Sequence, residues 1–155
     1  DNINVLVFHA TGVGGDCMEY LVNSGYVDAV IDLTTTEIAD FIVGGVLPCT
    51  QYRLDASLNI PTIISLGALN VVNFGGVVPE QFEDRIFHVH NEAVTLMKAN
   101  DNELKKIASF ISNKINNYQK NNVKLVIPNK GISALDAEDS HSVFKQYNND
   151  VTVLT

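Results

Sequence analysis

Asn4 to Gly15 reads NVLVFHATGVGG. Its apolar run, Val5 to Phe8, predicts a strand that breaks into a turn carrying Gly12, Gly14 and Gly15, with a helix over about Asp16 to Asn23 whose apolar periodicity begins at Met18. The order is strand, glycine turn, helix. Glycine serves where backbone takes positive φ or approaches another group closely, and a helix start presents unpaired N–H groups and the positive dipole end to an anion. Thr11, Gly12, Gly14 and Gly15 are therefore read as a phosphate or carboxylate cradle. The turn lacks the Lys-Ser/Thr ending of a P-loop and the glycine spacing of the dinucleotide fingerprint. A tight turn without a ligand is the alternative.

Outward from this stretch the same alternation repeats. Ala29 to Ile31 predicts a second strand stopping at Asp32, and Thr34-Thr35-Thr36-Glu37 has the capping-box spacing before apolar Ile38, Phe41 and Ile42. That helix ends near Gly44 and Gly45; a short helix over Pro48 to Leu58 and a β-branched strand over Pro61 to Leu66 follow. Gly67 to Gly76, GALNVVNFGG, is read as an apolar functional loop, and Arg85 to Val89 as a strand that His90 and Asn91 leave. Asn102 to Gln119 is an amphipathic helix by the spacing of Leu104, Ile107, Ala108, Ile111 and Ile115. Lys124 to Ile127 reads as a further strand, Pro128 to Ser140 as a loop, Ser142 to Asn148 as a short helix and Val151 to Leu154 as a last strand.

Strands alternating with helices predict an α/β fold: a doubly wound, mainly parallel, Rossmann-like sheet covered on both faces. At 155 residues and 46% hydrophobic composition the chain makes one domain with a sizeable core. It opens Asp1-Asn2 without Met and stops at Thr155 in strand-like sequence, so the expectation is a piece of a longer, two-domain protein. A formal charge of −8 without a Lys/Arg block argues against nucleic acid as partner, and no apolar run reaches the ~20 residues of a membrane span. Cys17 and Cys49 have neither metal-like nor scaffold spacing, which makes a reducing, cytoplasmic setting the default.

In open α/β sheets ligands bind beyond the carboxyl ends of the strands. The residues leaving those ends are His9, Thr11 and the glycines, then Asp32 with Thr34, Thr35 and Thr36, then Ser65, Gly67 and Asn70, then His90 and Asn91, and last Lys130 to Asp136. This polar, nearly uncharged set suits a small phosphorylated ligand. Lys130 reaches toward a phosphate in this reading. Ser133 and Asp136 contact a ribose or a Mg²⁺-bound phosphate, or else brace a turn. His9 and Asp32, with His90, form a conceivable acid–base set. His88 and His90 share a strand face without a nearby third metal ligand.

FHATGVGG…ME (Phe8 to Glu19), DLTTTEIAD…VGGVL (Asp32 to Leu47), SLGALNVVNFG (Ser65 to Gly75), HNEAVTLMK (His90 to Lys98) and GISALDA (Gly131 to Ala137) together resemble the second half of the Tm-one-like family. That resemblance implies two Rossmann-like halves, ATP binding and homodimerisation, and the reading of Asp136 adds Mg²⁺ as a companion to ATP. It makes the other half of the protein a partner. Asn129-Lys130 replaces the family's usual Gly-Gly turn. Three functions stay open: a nucleotide- or phosphate-ligand-binding domain, a small-molecule enzyme using His9, Asp32 or His90 at the same cleft, and an interaction module in which the GALNVVNFGG segment buries against another subunit or domain.

Overall fold

The chain folds as α1 (Gly12–Asn23), β1 (Val30–Asp32), α2 (Thr36–Val43), β2 (Thr62–Ser65), β3 (Val71–Phe74), β4 (Phe87–Asn91), β5 (Val94–Lys98), α3 (Asp101–Asn117) and β6 (Val123–Val126). These elements come from a computed structural model that describes residues 3–118, 122–137 and Phe144. The helix and strand expected over Ser142 to Asn148 and Val151 to Leu154 lie outside the described residues, Phe144 apart.

Local chemistry accounts for the helices. Asn100 and Glu103 close a reciprocal capping box at the start of α3, which buries Leu104, Ile107 and Ile111 on one stripe. α2 stops where Gly44 takes φ 104°, a left-handed conformation that costs glycine little. α1 begins four residues earlier than the apolar periodicity predicts: Thr11 caps it, its Oγ1 accepting from Gly14 N. The glycine turn is thus the first turn of the helix. No helix among the described residues is long and apolar enough to cross a membrane.

Strands β1, β2 and β6 form a parallel sheet in the order β1-β2-β6, with Val30 opposite Thr62 and Thr62 opposite Val123. The α/β class and the parallel sheet therefore stand, with one correction. Val30 packs on Met18 and Val22 of α1, and Ile64 on the cluster containing Ile38 of α2 and Leu104, Ile107 and Ile111 of α3. By register Val30 and Ile64 share a face. The opposite face shows Ile31, Leu33, Ile63 and Val126 exposed, Ile31 at 66%. Among the described residues the helices cover one side of the sheet only.

Four segments differ from the sequence reading. The first-strand segment pairs with no strand among the described residues: residues 3–9 belong to none, and Val7 is 89% exposed. A strand exists only through its ladder, and composition alone does not supply a partner. The segment read as a loop contains β3, all four residues of which are buried. A fully buried strand lacks the alternation that marks a half-exposed one, which is why GALNVVNFGG reads as a loop. Finally, β4 and β5 form an antiparallel hairpin in a second sheet of order β3-β5-β4, irregular between Val89 and Asn91. His90 and Asn91 accordingly lie inside β4 and leave no parallel strand. Pro48 to Leu58 is a series of turns leading into the short 3-10 helix Ser57–Asn59 in place of the expected helix.

Candidate functional site

The inward face of α1 carries Glu19, whose carboxylate accepts N–H bonds from Leu54 (2.9 Å), Ala56 (2.6 Å) and Ser57 (3.2 Å) and the Ser57 hydroxyl (3.2 Å). One side chain thereby fixes the turns between α2 and β2. Those turns set Arg53 beneath the sheet's edge, 2% exposed, with Leu54 following at φ 78°. Each nitrogen of the guanidinium meets a different carboxylate: Nε donates to Glu37 Oε1 at 2.9 Å, Nη1 to Glu19 Oε1 at 3.0 Å and Nη2 to Asp32 Oδ2 at 2.5 Å. Three acids thus share one cation.

The electrostatics follow from that count. Burial raises the Asp32 and Glu37 carboxyls above their usual range, and Arg53 only partly offsets it. Burial disfavours the charge on Arg53, but Asp32 and Glu37 outweigh this and hold its proton more tightly. Beside them the Cys49 thiol is pushed up to about 12 by burial and by Glu37, which makes it an inert, protonated group. Glu37 is 1% exposed, and its Oε2 meets no hydrogen-bond partner.

A cleft of about 1000 Å³ opens above this cluster. Its walls are the unpaired segment 3–10 on one side and residues 26–34 with β1 on the other, and Gly14, Gly15, Met18, Glu37 and Arg53 line it too. His9, Gly14, Gly15, Asp32 and Thr34 line this one cleft, whereas Thr11 and Gly12 do not. Arg53, Glu37 and Glu19 were not foreseen as site residues. The hints were Arg53, one of two Arg in an acid-rich chain, and a Glu whose capping-box spacing had a ready local explanation.

Within the cleft the glycine turn is closed. Gly12 N–H donates to Leu47 O at 3.1 Å and Gly14 N–H to Thr11 Oγ1 at 3.2 Å, so these first-turn amides are already used. A Cβ on Gly12 would lie 1.8 Å from Pro48 O, one on Gly14 2.0 Å from His9 O and one on Gly15 2.9 Å from Arg53 Nε. These glycines let three pieces of the protein approach α1. The TTTE capping box does not form either. Thr35 is the N-cap residue without a side-chain cap bond; its hydroxyl donates to Ser65 O at 3.4 Å, and the Thr36 hydroxyl donates to Val71 O at 2.9 Å. Of the three threonines only Thr34 lines the cleft.

The remaining sequence-derived residues lie elsewhere. Gly67 sits where a Cβ would be 2.3 Å from Leu33 O, tying two strand ends together. Asn70 is fully buried and its carbonyl accepts from Ala99 N. Asp136 braces its own turn, its Oδ1 accepting from Ser133 N (2.7 Å) and Ser133 Oγ (3.1 Å), its Oδ2 from Ile132 N (3.2 Å). Exposed Lys130 and His90 do not line the cleft. No group of three or more His, Cys, Asp or Glu side chains suited to a metal ion occurs among the described residues.

A family model described as "Uncharacterised protein family (UPF0261) C-terminal domain" matches residues 1–153. The chain is 49% identical over 141 residues to the ToMV resistance protein Tm-1 of Solanum lycopersicum, an overlap of 88% of this chain and 19% of that protein. The ToMV susceptible protein tm-1 of the same plant is also 49% identical over 141 residues, so overall likeness does not separate the two. A UPF0261 protein of Clostridium tetani is 47% identical over 150 residues, covering 94% of this chain and 36% of that protein. The chain spans little more than a third of these relatives at most.

Proposed function

This chain belongs to the uncharacterised protein family UPF0261, as its C-terminal domain, and we propose from that premise that it binds a nucleotide-class small molecule in the cleft beside β1. The observation that carries the reading is the cleft itself, which runs along β1 and past its carboxyl end to Thr34, with a buried Arg–carboxylate cluster beside it. Open α/β sheets take ligands at that position, and its volume lies at the upper end of the ~300–1,000 Å³ usual for small-molecule sites. Asp32 follows the glycine turn by about twenty residues and ends the next strand, where dinucleotide-binding domains hold the acid that takes a ribose hydroxyl. Charge sets the ligand's orientation. A phosphate at the inner end would face three carboxylates against one guanidinium, so the neutral, donor-bearing part goes inward and the phosphates lie at the rim near Thr34. ATP, implied by the resemblance above, is the first ligand of this class to test. His9 is exposed and Asp32 is held by Arg53, an arrangement that favours binding over acid–base turnover.

Thermal unfolding with ATP, ADP, AMP and adenosine, each with and without Mg²⁺, tests the reading. A ligand present at ~100 times its dissociation constant adds about 2.7 kcal/mol to stability. Thr34→Trp, which fills the rim, abolishes the shift and leaves the ligand-free midpoint in place. Absence of any shift in the wild-type protein at millimolar nucleotide overturns the proposal.

A further inference from the structure

We infer that Glu37 Oε2 is the recognition atom of this cleft and that it accepts a hydrogen bond from a neutral donor, an amino or hydroxyl group, on the bound molecule. The inference rests on the cleft being the nucleotide site proposed above. Its own support is the state of one carboxylate. Glu37 Oε1 is engaged by Arg53 Nε at 2.9 Å, whereas Oε2 is buried and meets no hydrogen-bond partner. Buried polar atoms are rarely left so, because an unmet acceptor has given up its water without a compensating bond. The rest of the cluster does not meet that need: Arg53 gives Nε to Glu37 Oε1, Nη1 to Glu19 and Nη2 to Asp32, and none of its N–H donors reaches Oε2. Glu37 lines the cleft, and a turn of its carboxylate toward the bound molecule makes the contact, since Oε2 itself is closed to solvent.

The chemistry of the partner follows from the surroundings. A phosphate or carboxylate oxygen is repelled by Asp32, Glu37 and Glu19 together. A donor bound to Oε2 completes the carboxylate without adding negative charge, and it stabilises the ionised form of Glu37. Binding of such a donor therefore releases the proton that burial tends to hold on Glu37, and affinity rises with pH through that raised range.

The test is calorimetric titration of the wild-type protein and of Glu37→Gln with ATP, 2′-deoxy-ATP, 3′-deoxy-ATP and ITP. Glutamine keeps an oxygen for Arg53 Nε and turns Oε2 into an N–H₂ donor, which reverses the polarity at the proposed contact with little change in shape. In the wild-type protein, at least one analogue lacking a donor binds roughly tenfold more weakly than ATP, the loss expected for one charge-assisted hydrogen bond. In Glu37→Gln, ATP falls to the affinity of that analogue and the pH dependence disappears. The analogue series on the wild-type protein needs no variant to fold. Equal affinity for ATP in both proteins, or equal affinity of the wild-type protein for all four nucleotides, overturns the inference while the site proposal survives. Failure of the wild-type protein to bind any of the four overturns both.

Discussion

Replacing Arg53 by methionine removes one cation from among three carboxylates and retains much of its apolar stem. Breaking a buried ion pair by deleting one partner costs about 3–5 kcal/mol, since the other charge stays buried and uncompensated. Here the loss has a ceiling, because carboxyls can take up protons instead. Glu19 keeps its donors from Leu54, Ala56 and Ser57 and stays satisfied. Asp32 and Glu37 start from ordinary values of 3.8 and 4.5, so holding each neutral at pH 7 costs about 3–4 kcal/mol. Arg53→Met is therefore destabilised at pH 7 by at least about 3 and at most about 8 kcal/mol, much of the 5–15 kcal/mol typical of a domain. The sign with pH is fixed. An acid whose folded pKa is raised lends stability that is complete below its unfolded value and lost as pH rises through the folded value. Without Arg53 the Asp32 and Glu37 values climb further, so the deficit is small near pH 4 and grows toward neutrality. Urea denaturation followed by circular dichroism at pH 4 and pH 7 measures both, and Asp32→Asn/Glu37→Gln in the Arg53→Met background recovers stability at pH 7. A loss below about 1 kcal/mol at pH 7, or one equal at the two pH values, would falsify the electrostatic account of the cluster.

Other perturbations separate local from tertiary causes. Gly14→Ala drives a Cβ to within 2.0 Å of His9 O and is expected to cost about 1–3 kcal/mol in thermal unfolding without any ligand; a neutral result returns that glycine to a ligand role. Asp40→Asn removes an acceptor from the pair that holds Leu47 N–H (2.9 Å) and Asn73 N–H (2.7 Å), at a cost of about 1–3 kcal/mol. Because burial raises the Asp40 carboxyl, the wild-type protein loses stability as pH rises through that value, and the Asp40→Asn deficit measured in urea shrinks over the same range. On the sheet, Ile31→Lys falls on the exposed face and shifts stability by no more than about 0.5 kcal/mol, whereas Ile64→Lys, at a fully buried position of the other face, prevents folding. Equal effects would mean that the Ile31 face is covered after all.

How far the sequence reaches depends on the range of each interaction. α3 is legible because its capping box and its stripe of Leu104, Ile107 and Ile111 are set within a few turns of chain. β2 is legible from its β-branched run, and β6 from its apolar one. The hairpin of β4 and β5 and the buried β3 are not, since a strand's partner is not written in its own composition. The expected first strand fails for the same reason: Val5 to Phe8 has strand composition and no ladder among the described residues. The glycine turn shows both limits, for its position at a helix start is local, but the purpose of its glycines depends on Pro48, His9 and Arg53 arriving there.

By itself, the sequence determined the α/β class, the parallel strands at the centre and the edge where polar residues gather. These depend on periodicity, caps and propensities that act over a few residues. Only the tertiary structure decided that Arg53 meets Glu37, Asp32 and Glu19 across 16, 21 and 34 residues of chain. Glu37 has a local alternative as a capping residue and Asp32 as a strand terminator, and neither reading carries any trace of the cation. Their charges are settled by which groups share a water-poor interior, a property of the packed chain that no single stretch of it contains.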